Sequence, residues 1–381
     1  MTNILDSIRS IFQRNEPIPP GLYSFYAPQD DPRNYRMHLR IEQDGSGILI
    51  VNASTVLHLN ETAAEFAYYL VKNVPAEKVA VRMAERYRVE PERAFNDYRN
   101  LGERVLTLVE MPDLDPVTFL DFSRTTPYSG KLSAPYRLDC ALTYRLPEGD
   151  DPSFAPSERV MRELSTDEWK RVFDKAWQVG VPHVVFTGGE PTLRDDLLEL
   201  SAYGEKLGMV TGLHTNGLRL AQPSYLIDLL QTGLDHLIIL LQPENDTVWR
   251  AIQNVVEEDI FTAVHLTLTP DNLDSYAGNL RRLAETGVHA VSLTASSIEL
   301  NPQLEAARAL AAELNLELVW DLPVPYSTHN PVHLEVPEDE LVEGAGRAWL
   351  YIEPDGDVLP SQGAEGVMGN ILNDPWKNIW S

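Results

Sequence analysis

The sequence predicts an α/β protein. A partial (β/α)6 TIM-like barrel is preceded by a small winged-helix-like α+β module and followed by a short C-terminal extension. Three observations carry this. From residue 136, six β-branched runs alternate with amphipathic stretches, and strands that alternate with helices build a parallel sheet. Before that point, residues 36–110 read as three strands followed by three helices. After it, the tail turns at Pro354-Asp355-Gly356-Asp357, a hairpin signal.

Residues 1–35 divide into a short helix and a tether. Ile4, Leu5, Ile8, Ile11 and Phe12 share one helical face, which predicts a helix packed on the body; its flanks are not basic, as a membrane-surface helix would require. The Pro-rich stretch that follows has no periodicity and reads as a tether. In residues 36–59 the alternation predicts strand, a turn at Asp44-Gly45-Ser46-Gly47, strand, and a third short strand. Asn60 is placed to cap the first helix, and Pro75 and Pro91 to open the next two. A linker over 111–135 is broken by Pro and Ser.

The barrel is assigned to 136–320. Its candidate strands are residues 136–144, 182–189, 209–215, 236–241, 263–269 and 289–295. Period-two alternation turns Asp139, Ala141, Thr143, His265, Thr267, Thr269, Ser292 and Thr294 inward. Barrel interiors are normally filled by branched apolar side chains, so this polar set predicts a ligand-holding cavity. Residues 321–381 form the extension.

The chain has 381 residues and a net charge of −26, which excludes a broad basic footprint for nucleic acid. The charge is uneven: residues 36–110 carry ten Lys/Arg against eleven Asp/Glu, leaving nearly all the excess acid to the rest. Cys140 is the only cysteine, which excludes an internal disulfide and any site built from several thiolates. No run is apolar enough to span a bilayer and no secretory signal opens the chain, so a cytoplasmic protein is expected, with neither membrane nor nucleic acid as partner.

The most informative stretch is Val184–Leu197, where a β-branched run stops at Gly188-Gly189-Glu190-Pro191 before a helix. It sits at the carboxyl end of the second strand, the rim where parallel barrels place ligands. Glycines permit close backbone approach, and carbonyls with a carboxylate accept hydrogen bonds, as from an ammonium group. Gly188, Gly189 and Glu190 are therefore the candidate ligand residues. His214 and His265 could contribute to a metal site, but no spacing enforces one; His183, His236 and His289 precede their strands and are expected at the opposite end.

Residues 136–320 resemble the radical S-adenosylmethionine family in the order and wording of the Gly-Gly-Glu turn and of His214-Thr215-Asn216-Gly217. In that family the turn holds the amino group of S-adenosylmethionine. The tail resembles the SPASM extension of peptide-modifying members, and residues 36–110 resemble a PqqD-type peptide-recognition module. The family's three cluster thiolates follow the first strand. This sequence keeps Thr143, Tyr144 and Arg145 but has Leu146, Asp150 and Ser153 at the three cysteine positions, and Ser361 at a tail cysteine position. Iron–sulfur clusters need thiolates with few exceptions.

The resemblance, so modified, implies a pseudoenzyme that recognises or presents a precursor peptide, with an intact maturation enzyme as a further partner. It implies no [4Fe–4S] cluster, no required cofactor, no metal and at most weak S-adenosylmethionine binding. The alternative is an enzyme of altered chemistry, binding S-adenosylmethionine or another amine-bearing ligand in the barrel without a cluster. A DNA-binding use of residues 36–110 is disfavoured by their charge.

Overall fold

The computed structural model describes residues 17–28, 30–33, 35–52, 55–111, 132–320 and 322–380. The helix expected at 3–12 and most of the linker lie outside them. The chain divides into two compact units, one comprising residues 1–133 and 178–180, the other residues 134–177 and 181–381.

The first unit is a four-stranded antiparallel sheet, β1 (Gly21–Tyr26), β2 (Arg36–Ile41), β3 (Gly47–Val51) and β4 (Thr55–Leu59), in that spatial order. Three strands were expected. The extra one, β1, lies in the stretch read as a tether, where flanking prolines hide its short alternation of Tyr23 and Phe25 against Leu22 and Ser24. Tyr23 and Phe25 pack onto the unit's core. Gly45, at φ +84, makes the β2–β3 turn, a conformation that favours glycine. Three helices follow: α1 (Glu61–Val71), α2 (Ala76–Tyr87) and α3 (Pro91–Glu110). The Asn60 side chain accepts from the Ala63 amide at 2.9 Å, the expected cap. Leu39, Leu49, Ala64, Ala67 and Val79 are fully buried between sheet and helices.

The second unit is built around a ten-stranded sheet. Its parallel part alternates as expected: β5 (Arg137–Thr143), α4 (Thr166–Val179), β6 (His183–Gly188), α5 (Leu197–Leu207), β7 (Val210–Thr215), α6 (Pro223–Leu230), β8 (His236–Leu240), α7 (Asp246–Val256), β9 (Phe261–Leu268), α8 (Tyr276–Thr286), β10 (Ala290–Ala295) and α9 (Asn301–Glu313), closed by a two-residue strand β11 (Glu317–Leu318). Strands β5 to β11 pair parallel in sequence order, which makes a partial (β/α)6 barrel.

The tail forms β12 (Trp349–Ile352), β13 (Asp357–Leu359), β14 (Gly369–Asn370) and a short helix α10 (Trp376–Ile379). The hairpin turns at residues 354–357 as expected. The sequence did not show that β12 pairs parallel with β5, Trp349 opposite Arg137, so that the extension continues the barrel sheet.

Helix contacts fix which side chains point outward. Phe173 of α4 lies 5.9 Å, ring to ring, from Phe186 of β6. Phe186 therefore faces the helices, and its neighbours Val185 and Thr187 face the barrel interior.

Candidate functional site

The Gly-Gly-Glu turn is locked by the chain's own groups. The Gly189 amide donates to the Thr143 carbonyl at 2.8 Å and the Glu190 amide to the Arg145 carbonyl at 2.9 Å. The exit of β5 thus lies directly against the turn, which explains both glycines. A Cβ on Gly188, at φ +121, would sit 2.2 Å from the Thr143 oxygen, and one on Gly189 would sit 2.4 Å from the Arg145 oxygen. The Gly188 carbonyl accepts from the Tyr326 amide at 2.7 Å.

Glu190 is buried, 2% exposed. Its Oε1 accepts from the Thr192 amide at 2.9 Å, the Thr192 hydroxyl at 2.6 Å and the Thr215 hydroxyl at 2.7 Å; Oε2 accepts from the Asn216 amide at 2.7 Å. Burial pushes its carboxyl above the usual carboxylate range, and these donors pull the other way. The carboxylate staples the end of β7 to the turn after β6. Thr215 and Asn216 were legible as part of the 214–217 motif; their role as partners of Glu190 was not.

Part of the inward set assembles as the alternation predicts, whereas Thr269 lies past the end of β9 and caps the turn Pro270–Asn272. His265 Nδ1 lies 3.0 Å from the Ser292 hydroxyl, and its Nε2 lies 3.0 Å from Thr267 and 3.1 Å from Thr294. The Thr267 hydroxyl donates to Asn330 Oδ1 at 2.7 Å. Burial lowers the His265 imidazole to about 3, so it is neutral. Asp139 is held by Arg137, at 2.6 Å from Nε.

His183 and His236 begin their strands, at the amino ends opposite the Gly188 rim as expected, but their contact with each other was not expected. Their Nε2 atoms are 2.8 Å apart, and the His236 ring centre is 6.0 Å from that of His214. The His236 ring is inside because Gly212 opposite it has no side chain; a Cβ there would come within 2.0 Å of the ring. His289 is exposed, as its position before β10 suggests.

The rim segment after β5 packs rather than opens. Tyr144 meets Tyr326 at 5.6 Å between ring centres, and these rings cluster with Tyr351, Ala155, Leu359 and Ala364. The Tyr144 hydroxyl donates to Glu353 at 3.0 Å, which also pairs with Arg159 at 3.3 Å. Leu146 packs on this cluster, Asp150 is half-buried and Ser153 is exposed. Cys140 is fully buried in the middle of β5, and burial pushes its thiol well up.

Residues 140–267 match the model of the Radical SAM superfamily. The barrel is a radical SAM fold. Among solved structures, SuiB of Streptococcus suis bound to S-adenosylmethionine aligns at a TM-score of 0.59 and 18% identity, covering 94% of this chain and 88% of that one. SuiB bound to precursor peptide SuiA aligns at a TM-score of 0.60 and 16% identity, over the same shares. Among curated relatives, the PqqA peptide cyclase of Rhodopseudomonas palustris is 30% identical over 238 residues, 56% of this chain and 62% of that protein. The PqqA peptide cyclase of Rhizobium meliloti is 28% identical over 298 residues, 68% and 76%. The chain thus spans a little under two thirds of the length of the first of these relatives.

These matches correct the expectation that neither a cluster nor a required cofactor is involved: residues 140–267 match the Radical SAM superfamily, and SuiB is solved bound to S-adenosylmethionine. The two groups fit the residues present differently. Leu146, Asp150 and Ser153 supply no thiolate for a cluster, Leu146 is taken up in apolar packing, and Cys140 is inside a strand. The interior fits a polar ligand better. Thr187 Oγ1 on β6 and His214 Nε2 on β7 are buried without a hydrogen-bond partner. Because Val185 pairs with Gly212 and Phe186 with Leu213, Thr187 and His214 stand side by side on the interior face.

Proposed function

We propose that this protein binds a precursor peptide and presents it for modification, without itself carrying out the reductive cleavage of S-adenosylmethionine. The observation that carries the reading is the packed, thiolate-free segment after β5 on an otherwise intact radical SAM barrel. Reductive cleavage needs an electron delivered at the bound sulfonium, and none of the residues at this rim is a redox group. The likeness to PqqA peptide cyclases, and to a structure solved with its precursor peptide, supports a peptide as the partner.

Within this proposal residues 36–110 are the peptide-gripping module of the PqqD type, and residues 321–381 a SPASM-like extension. β4 lies at one end of the four-stranded sheet, and an extended peptide adds to such an edge by main-chain hydrogen bonds while side-chain pockets select it. Val56 and His58, half-buried on that strand, are placed to contribute. Gly188, Gly189 and Glu190 shape the rim above the barrel interior.

A second reading, an enzyme of altered chemistry acting on an amine-bearing ligand in the barrel, is favoured by the two unpartnered atoms, Thr187 Oγ1 and His214 Nε2. Fluorescence anisotropy of the full-length protein with labelled short peptides encoded beside its gene tests the first reading. Saturable binding that Val56→Pro abolishes, with the fold retained, supports it. Failure of every such peptide to bind contradicts it.

A further inference from the structure

Strand β10 (Ala290–Ala295) has one edge against β9 and the other only half covered, because β11 stops after two residues. The Glu317 amide donates to the His289 carbonyl at 3.2 Å and the Val319 amide to the Val291 carbonyl at 3.0 Å, and the pairing ends there. Successive strand residues turn their main-chain groups to alternate neighbours. The Ser296 amide donates to Leu268 of β9 at 2.9 Å, so Leu293 and Ala295 address the β11 side. Among the described residues, no group pairs with their N–H or C=O on that side. Leu293 is only 5% exposed, and buried main-chain groups are nearly always paired.

The uncovered edge opens onto a groove of about 360 Å³. Leu293 and Leu304 of α9 give it an apolar wall, and Ile298, 77% exposed, also lines it. Arg308 lies one turn beyond Leu304 on the same helix. Its guanidinium sits over the Trp320 ring at 4.4 Å and pairs through Nη1 with Glu305 at 2.5 Å, while its Nε is buried with no acceptor. Arg308 and His333 line the groove and no described carboxylate does, in a chain whose net charge is −26. Unpaired main-chain groups, an apolar wall and an unsatisfied cationic donor thus meet in one place.

We propose that an extended segment of the precursor peptide adds to β10 as a strand in this groove, where β11 stops. Leu304 and Arg308 are about 6 Å apart along α9, and alternate side chains on one face of a strand are about 6.6 Å apart. The recognised segment therefore carries an apolar residue against Leu304 and, two positions away, an aspartate or glutamate against Arg308. Main-chain pairing supplies the affinity and this spacing the selectivity. The inference rests on the peptide-presentation reading and adds to it a second grip, on the barrel sheet, with a stated sequence preference.

The probe is the blocked peptide acetyl-Thr-Leu-Thr-Asp-Thr-amide, titrated into the full-length protein with hydrogen exchange read by mass spectrometry. At millimolar peptide the Leu293 and Ala295 amides should gain protection. Asparagine in place of the peptide's aspartate should weaken binding about fivefold, and Arg308→Gln should erase that difference. Ala295→Pro removes one outward N–H where an edge strand tolerates proline, and should weaken binding of both peptides. Exchange on the unaltered protein decides the matter should a variant fail to fold. Absence of protection at millimolar peptide, or equal binding of the two peptides to the unaltered protein, overturns the proposal. So does protection that appears without peptide and rises with protein concentration, which would give the edge to a second copy of the chain. Precursor peptides that bind in a manner sensitive to Val56→Pro, while these amides stay unprotected, would leave peptide presentation standing and overturn this site alone.

Discussion

Gly188→Ala separates a glycine kept for the fold from one kept for a ligand. At φ +121 the residue occupies backbone space that an L side chain rarely adopts, and its new Cβ would lie 2.2 Å from the Thr143 carbonyl oxygen and 3.3 Å from the Ala141 Cα. Both neighbours belong to β5, a buried strand paired on either side, so they cannot step aside as a flexible side chain would. Holding a non-glycine residue in such a region costs on the order of 1–3 kcal/mol, and forcing a methyl into a packed interior costs a further ~1–3 kcal/mol. The expected loss is therefore about 2–6 kcal/mol, present with or without ligand. Urea unfolding of the barrel, followed through the fluorescence of buried Trp169 and Trp249, measures it. A variant within about 0.5 kcal/mol of the parent, the usual range for harmless surface changes, would refute the reasoning and return the glycine to the ligand.

Glu190→Gln keeps the shape but sets an amide NH2 against the Asn216 amide, where Oε2 now accepts at 2.7 Å. Relief of carboxylate burial offsets part of the loss, and a net cost of about 1–3 kcal/mol is expected in the same unfolding assay. Gly212→Ala would drive a methyl into the His236 ring; loss of the His183–His236 contact should appear in the imidazole NMR signals, and unchanged signals would contradict the placement. The pH dependence follows from the buried histidines. His236, lowered to about 4, and His265, lowered to about 3, are neutral when folded, whereas the unfolded chain protonates them below about pH 6.5. Stability is therefore full above that pH and falls on acidification toward pH 4 and 3, by up to ~1.4 kcal/mol per pH unit for each residue. Urea midpoints at pH 7, 6 and 5 check this, and a flat profile would count against it.

The barrel was legible because its signal is periodic: six strand–helix repeats set the topology, and alternation alone placed His265, Thr267, Ser292 and Thr294 on one inward face. The turn at Gly188–Glu190 was found for its composition, but composition could not say what presses on it. The Thr143 and Arg145 carbonyls that demand the glycines are more than forty residues away in sequence, and Tyr326 more than a hundred. β1 was hidden because its alternation is short and bounded by prolines. The His183–His236 pair was missed for another reason. A residue at a strand's start was assigned to the barrel's far end, yet opposite Gly212 the ring turns inward and reaches its neighbour. Local pattern gives the face a side chain takes, but not the partner it meets on another strand.

The central claim, peptide presentation on a radical SAM barrel whose rim supplies no cluster thiolates, is tested most directly by one product. The full-length protein is incubated anaerobically with iron, sulfide, a strong reductant and S-adenosylmethionine, with and without peptide, and 5′-deoxyadenosine is quantified by mass spectrometry. The account predicts no 5′-deoxyadenosine above the protein-free control. Formation that rises in proportion to protein, together with stoichiometric iron and cluster-type absorption, would contradict it.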